Sequence, residues 1–192
     1  INTSIINSNG NIPALTLANV EFDDKSEGDD WFKDLYNIGV IRPYQIVEKA
    51  GFKIGVFGLI GDDAKQVITN AAPLEFTNRI KTAKKIVKIL LNEEKVDLVI
   101  CLSHCGVSVD KNGNWSGEDV ELAKKVKGIN IIVSGHTHTE IFDPIWVGST
   151  AIIQTGAQGK NIGRFELNIT NGEISSAKYQ LIPVDDNIYG DC

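Results

Sequence analysis

Three histidines, the only ones among the 192 residues, stand directly after two apolar segments of the chain. His104 follows one apolar run, while His136 and His138 lie in the sequence Ser-Gly-His-Thr-His-Thr, which follows a second run. Neutral imidazole is a common protein ligand for zinc, iron, nickel and copper. We therefore consider all three as candidate metal ligands, in competition with the simpler interpretation that they are polar loop residues.

A strand, a helix and a second strand are predicted around these histidines. The runs 96–102 and 129–133 have the apolar content of buried strands, and 117–127 between them has apolar residues at helical spacing. The two strands of such a unit run parallel, and ligands bind beyond the carboxyl ends of parallel strands. Neighbouring strands lie about 4.8 Å apart. We therefore expect the three imidazoles to converge in one small volume.

The remaining segments predict an α/β fold that becomes β-rich towards its end. The strongest helical pattern covers 77–95, and 21–30 is expected to be a solvated acidic loop. The other predicted strands are 14–20, 42–48, 52–60, 145–147, 151–154, 162–169 and 173–183. Hairpins are expected at Lys49-Ala50-Gly51 and, on a stronger turn signal, at Asn171-Gly172. This order of elements indicates two sheets packed together with helices outside.

Composition and charge argue against several function classes. The formal net charge is −6 and the sequence has no basic stripe, so a nucleic-acid polymer is not expected as a partner. The sequence has no run of about 18 apolar residues, so no membrane span is expected. The chain contains no methionine, from which we expect it to be part of a longer polypeptide. Its three cysteines cannot all pair with one another, so no disulfide framework is predicted.

Six segments occur in the order, and at about the separation, in which a known family carries its motifs. They are Leu-Ala-Asn-Val at 17–20, the strand 53–59, the strand with Ser-His-Cys-Gly at 96–106, Gly-His-Thr-His within 134–139, the Gln-Thr-Gly segment 154–164, and Leu-Ile-Pro-Val-Asp at 181–185. At these residues the chain resembles the calcineurin-like metallophosphoesterases, in the branch of 5′-nucleotidases and 2′,3′-cyclic-nucleotide phosphodiesterases. Gly-His-x-His alone is a short motif, but together with the upstream Ser-His and the downstream Gln-x-Gly it becomes specific.

The resemblance implies a four-layer sandwich, in which two mixed β-sheets are flanked by helices, and a site for two divalent transition metals (zinc, manganese or iron). It assigns His104 and His136 to one metal and His138 to the other. It also implies hydrolysis of phosphate esters, with nucleotides, other phosphomonoesters or cyclic phosphodiesters as substrates. Finally, it favours a location outside the cytoplasm, in the periplasm, in the cell wall or as a secreted protein.

The sequence departs from the family pattern in its first half. No histidine precedes His104, the family's Asp-x-His and Gly-Asn-His motifs are missing, and Gly61-Asp62 follows the wrong strand to be the metal-bridging Gly-Asp motif. We therefore predict that 1–192 is the C-terminal part of a catalytic domain, an incomplete sandwich, and that 1–12 is a loose linker.

The partners implied by this prediction are the N-terminal half of the domain and a C-terminal substrate-binding domain. We assign no catalytic residue and leave the substrate-binding residues unknown. The isolated chain is expected to be weakly active or inactive, with at most partial metal occupancy.

Two other functions fit the same residues. One is a mononuclear zinc enzyme with three histidine ligands and an open position for water. The other is a non-catalytic, partner-binding domain that retains the fold. Metal content separates these functions, because a complete phosphoesterase domain would bind two metals per copy, the mononuclear enzyme one and the binding domain none.

Overall fold

The computed structural model describes residues 13–69, 71–170 and 173–185, which form four α-helices and fourteen β-strands. The helices are α1 (Asp30–Asn37), α2 (Asp62–Val67), α3 (Arg79–Asn92) and α4 (Glu118–Lys125). The first seven strands are β1 (Leu15–Thr16), β2 (Val20–Glu21), β3 (Ile41–Arg42), β4 (Tyr44–Lys49), β5 (Phe52–Ile60), β6 (Glu75–Phe76) and β7 (Leu98–His104). The other seven are β8 (Ser108–Val109), β9 (Trp115–Ser116), β10 (Ile131–Val133), β11 (Ile145–Val147), β12 (Thr150–Ile153), β13 (Asn161–Thr170) and β14 (Glu173–Pro183).

A six-stranded mixed sheet in the order β11-β12-β10-β7-β5-β4 forms the centre of the fold. β5, β7, β10 and β12 run parallel, and the edge strands β4 and β11 are antiparallel to their neighbours. α3 precedes β7, and α4 connects β7 to β10, which is the crossover that parallel neighbours require. The strand–helix–strand unit predicted around the histidines is therefore confirmed, as is the predicted hairpin formed by β4 and β5.

The face of this sheet that α3 and α4 cover holds the hydrophobic core. Alternate residues of the parallel strands point to this face, and Phe57, Val99 and Ile132 are fully buried there. The helices contribute a stripe of buried residues that includes Ala83, Val87, Leu90, Leu122 and Ala123. A Cβ on Gly55 would lie 2.7 Å from the side chain of Leu90, so the close packing of α3 on β5 requires a glycine at this position.

The opposite face of the sheet, called the open face below, is less completely covered than the apolar run 96–102 predicts. Leu102 on β7 is 42% exposed, and its neighbour Val133 on β10 is 37% exposed. β1 crosses this face at Gly58, where a Cβ would lie 2.1 Å from a backbone oxygen of β1. A shallow depression of about 380 Å³ on this face extends to His104. Exposed apolar strand residues and the candidate metal ligand His104 therefore both lie on the open face.

β13 and β14 form the long antiparallel hairpin that the sequence predicts. The predicted turn at 171–172 lies outside the described residues, as does the predicted linker 1–12. Phe165 and Tyr179 pack edge to face, with ring centroids 5.8 Å apart. The Tyr179 hydroxyl donates to the main-chain oxygen of Gln154 at 3.3 Å, which joins the hairpin to the end of β12.

The acidic segment 21–30 differs from the solvated loop that its composition predicts. Its end forms a 3₁₀ turn that leads into α1. Asp29 is buried and accepts a hydrogen bond from the main-chain N–H of Asp23 at 2.9 Å, so the segment folds back on itself. α2 is a further helix that the apolar pattern does not reveal, because Ala64 is its only buried residue.

The fold class predicted from the sequence is confirmed, since a mixed sheet packs against helices and smaller sheets lie beside it. None of the helices in the described ranges combines the length and the apolar content needed to cross a membrane.

Candidate metal centre

His104 and His136 lie side by side at the carboxyl edge of the main sheet. His104 is the last residue of β7, and His136 follows the end of β10. β7 and β10 are parallel neighbours, with Leu102 opposite Val133, so the chain leaves both strands at the same edge. The two imidazole centroids are 5.1 Å apart and the ring planes meet at 60°. The structure therefore brings this predicted pair together, as the parallel topology requires.

His138 has an exposed side chain on the same loop as His136. Burial lowers the pKa of His104 below 6.5, and nearby positive charge on His136 and then His138 lowers this pKa further. A lowered pKa keeps the imidazole neutral, which is the form that binds a metal. Within the described ranges, no group of three or more His, Cys, Asp or Glu side chains is arranged closely enough to hold a metal ion. The convergence of all three imidazoles on one centre thus stays a prediction.

The loop that carries the last two histidines is tightly turned. The backbone angle φ is +71° at His136 and +56° at His138, a left-handed region that non-glycine residues seldom occupy. Thr137, between them, donates its main-chain N–H to the oxygen of Gly135 at 2.9 Å. Its hydroxyl oxygen accepts a hydrogen bond from the main-chain N–H of Val107 at 3.2 Å. The loop is therefore attached to the segment that follows His104.

Asp119, in the first turn of α4, is a fully buried carboxyl that lies beneath both histidine-bearing segments. Ser103 donates its hydroxyl to Oδ1 at 2.5 Å, Ser134 donates its hydroxyl to Oδ2 at 2.6 Å, and the Gly106 N–H donates to Oδ2 at 3.0 Å. Burial raises the pKa of Asp119 above 3.8, although these three hydrogen bonds oppose the rise. One carboxyl group thus joins the end of β7 to the end of β10 through hydrogen bonds.

Gln154, directly after β12, connects this network to His138. With its oxygen facing the loop, the side chain accepts hydrogen bonds from the main-chain N–H groups of His138 at 3.0 Å and Thr139 at 2.9 Å, and its nitrogen donates to the Ser134 hydroxyl at 3.1 Å. Gln154 is buried. The ends of β7, β10 and β12 therefore share one buried polar network under the histidines.

An acidic cluster on α2 and α4 borders His136. Asp63, in the first turn of α2, has its Oδ2 atom 2.9 Å from Nε2 of His136. Glu118 accepts hydrogen bonds from the main-chain N–H groups of Asp62 at 2.9 Å and Asp63 at 3.1 Å. The buried guanidinium of Arg79 pairs with Asp62 and lies 3.6 Å from Glu118. α2, α3 and α4 therefore meet in one charged cluster beside the candidate site.

Asp119 and Asp63 are site residues that motif analysis does not single out. An acidic residue in the first turn of a helix is expected for its favourable interaction with the helix dipole alone. The available signal for Asp119 is its spacing, since it lies three residues before Leu122 and four before Ala123, both of which are buried. Asp63 offers no such signal, because its partner His136 is 73 positions away in the chain.

The family model of the calcineurin-like phosphoesterases matches residues 6–140, a range that includes all three histidines. The chain belongs to the calcineurin-like phosphoesterase family. Calcineurin-like phosphoesterases are dinuclear metal enzymes, which agrees with the kind of side chain found at the sheet edge.

Two named relatives of this chain are a nucleotide phosphoesterase and a 5′-nucleotidase. The trifunctional nucleotide phosphoesterase protein YfkN of Bacillus subtilis is 33% identical over 153 residues, which is 77% of this chain and 10% of the relative. The 5′-nucleotidase of Vibrio cholerae is 29% identical over 168 residues, which is 76% of this chain and 30% of the relative. The chain therefore spans less than a third of the length of either relative.

A solved structure extends the likeness to the whole fold. The structure of a putative 5′-nucleotidase from Staphylococcus aureus matches with a TM-score of 0.68 at 21% identity, covering 94% of this chain and 35% of the other chain. This match confirms the metallophosphoesterase fold predicted from the sequence.

Proposed function

We propose that this chain supplies part of the active site of a metal-dependent phosphoesterase that hydrolyses nucleotides or related phosphate esters. The observation that carries the proposal is the adjacency of the His104 and His136 imidazoles, 5.1 Å apart, at the edge of a sheet from a calcineurin-like phosphoesterase. The nucleotide substrate class is supported by the names of the relatives, a trifunctional nucleotide phosphoesterase and a 5′-nucleotidase.

The residues at the sheet edge fit divalent transition metals such as zinc, manganese or iron. In this proposal, His104 and His136 hold one metal and His138 holds the second. The lowered pKa of His104 keeps its ring neutral and able to bind a metal, and the buried Asp119 accepts hydrogen bonds from both strand ends. When bound, two metals in such a site activate a water molecule and stabilise negative charge on the phosphoryl oxygens.

We further propose that 1–192 is the C-terminal part of the catalytic domain, and that the open face is covered by the N-terminal half of the same domain. The exposed apolar residues Leu102 and Val133 support this occupant, because the depression they line runs to His104. The missing Asp-x-His and Gly-Asn-His motifs and the short coverage of the relatives also support it. The remaining metal ligands would then face these histidines from across the covered surface.

The test uses the complete native polypeptide that contains this chain. Metal content is measured by elemental analysis, and phosphate release is measured with 5′-AMP and with 2′,3′-cyclic AMP followed by a phosphomonoesterase. We expect two metals per copy and hydrolysis of at least one of these substrates. His136→Ala is expected to remove at least one metal and to lower the hydrolysis rate by more than about 100-fold, because a metal ligand is lost.

Phe142→Ala is the matched control, since Phe142 is an exposed side chain a few residues beyond the histidines. It is expected to keep both metals and the full rate. A single metal per copy would instead identify the mononuclear enzyme, and a metal-free protein with unchanged partner binding in His136→Ala would identify a binding domain. Either result contradicts the proposal.

We also propose that the protein acts outside the cytoplasm, as the resemblance to the 5′-nucleotidase branch implies. Cell fractionation with an antibody against this chain tests the location. Recovery of the protein only in the cytoplasmic fraction would contradict it.

A further inference from the structure

Asp63 is not one of the proposed metal ligands, but its carboxylate contacts one of them. We propose that Asp63 is a positioning residue, which accepts a hydrogen bond from the Nε2–H group of His136 and thereby leaves Nδ1 as the nitrogen that binds the metal. This inference rests on the proposed function, because it concerns how a ligand of that site is oriented.

The assignment of the proton follows from the chemistry of the two groups. Nε2 of His136 lies 2.9 Å from Oδ2 of Asp63. An ionised carboxylate can only accept hydrogen bonds, and a neutral imidazole carries its single proton on one of its two nitrogens. In the neutral form of His136, which is the form that binds a metal, the proton therefore resides on Nε2 and the lone pair on Nδ1. Metal-binding histidines commonly donate their other ring N–H to a carboxylate, which fixes the tautomer and the ring orientation.

Asp63 is held in place by groups on α4 and on the segment after β7. Its main-chain N–H donates to Glu118 at 3.1 Å. A Cβ on Gly61 would lie 2.3 Å from the Glu118 carboxylate and 2.7 Å from Cα of Cys105, so the start of α2 packs closely against the residue that follows His104. The position of Asp63 relative to His136 is thus determined by the same segments that form the site.

Apart from this contact, the side chain of Asp63 contributes little to the stability of the fold. It is 72% exposed, whereas the side chain of His136 is 16% exposed. Exposed ion pairs contribute little to folding stability. Removing the carboxylate should therefore leave the melting temperature unchanged while it releases the ring of His136, and this difference makes an orienting role separable from a structural one.

The experiment compares Asp63→Ala with Asp63→Asn in the complete native polypeptide. The asparagine side chain keeps a carbonyl oxygen that can accept from Nε2–H, and the alanine side chain does not. Zn²⁺ is the probe, and its dissociation constant is measured by competition with a chromophoric chelator. We expect Asp63→Ala to weaken Zn²⁺ binding by about tenfold, and Asp63→Asn by less than about threefold.

A second measurement reads the hydrogen bond directly in the metal-free protein. In ¹⁵N-histidine-labelled protein, the Nε2–H proton of His136 is expected to give a downfield signal that exchanges slowly with water in the wild type and in Asp63→Asn. This signal should disappear in Asp63→Ala. Asp143→Ala, which removes an exposed carboxylate from the loop after the histidines, is the matched control and should change neither quantity.

The outcomes separate this inference from the function on which it rests. A wild-type protein that binds no Zn²⁺ overturns the proposed function itself. A wild-type protein that binds Zn²⁺, together with an Asp63→Ala variant of equal affinity and an unchanged His136 signal, overturns only the role of Asp63.

Discussion

Near the ends of β7 and β10, the two faces of the six-stranded sheet carry similar side chains but are covered to very different extents. Cys101 and Leu102 are adjacent in β7, and Ile132 and Val133 are adjacent in β10. The first residue of each pair is fully buried under the helices, while the second is 42% exposed at Leu102 and 37% exposed at Val133. The difference teaches that the main core lies under the helices, and that on the open face Leu102 and Val133 stay exposed although Ile131 and Ile153 on the same face are buried.

The candidate site lies at the boundary between these two faces. Ser103 points to the covered face, where it donates to the buried Asp119. His104, the next residue of the same strand, points to the open face and lines its depression. The covered face therefore supplies rigidity, and the open face presents the side chains that could bind a ligand.

The largest expected effect comes from a cavity on the covered face. Ile132→Ala should lower the free energy of unfolding by about 2–5 kcal/mol, because the side chain is fully buried. Val133→Ala is the matched control one residue away and should cost less than about 1 kcal/mol. Urea unfolding of the 1–192 chain measures both. Equal losses at the two positions would show that the open face is also part of the core.

The second-largest effect on the free energy of unfolding is expected from the buried hydrogen-bond network around Asp119. Asp119→Ala leaves the Ser103 and Ser134 hydroxyls and the Gly106 N–H without their acceptor, and it should cost about 3 kcal/mol in unfolding free energy. Thr150→Val is the comparison, since it removes one buried hydrogen bond, to the oxygen of Ile129, at the other end of the neighbouring strands.

Thr150→Val should lower the free energy of unfolding by about 1 kcal/mol, as measured by the same urea unfolding. If the two variants lose the same stability, Asp119 is an ordinary polar core residue and does not join the two strand ends.

The parts of the molecule that sequence patterns predict are those with local signals. Apolar runs before His104 and His136, with a helical pattern between them, were enough to predict parallel strands and therefore the adjacency of the two rings. The exposure of Leu102 could not be predicted, because the apolar pattern of a strand does not show how much of each face other elements cover. Asp63 could not be predicted because its contact depends on how α2 packs.

A smaller effect is expected from a charge placed on the open face. In the 1–192 chain, Leu102→Lys should change the unfolding free energy by less than about 0.5 kcal/mol, since the residue is already in contact with solvent. In the complete native polypeptide, the same substitution should cost about 2 kcal/mol or more, because the proposed N-terminal half would bury the ammonium group. Thermal unfolding of both proteins provides the comparison, and identical shifts would contradict the proposed covering of this face.

The smallest effect concerns pH. The pKa of His104 is lowered below 6.5 in the folded chain, so the unfolded chain takes up a proton first as the pH falls. The unfolding free energy should therefore decrease as the pH falls through 6.5 and level off below the lowered pKa. His104→Gln should lack this component, and the difference between the two unfolding curves isolates it. A difference that does not vary between pH 7.5 and pH 5 would contradict the lowered pKa.

The left-handed backbone at His136 and His138 has a consequence for variation of this loop. Each of these residues carries a conformational penalty, of the order of 1 kcal/mol, that glycine would not carry. A library selected only for heat resistance would therefore be enriched in glycine at these two positions and would lose its imidazoles. Selection for thermal stability and selection for metal binding therefore favour different residues at these two positions.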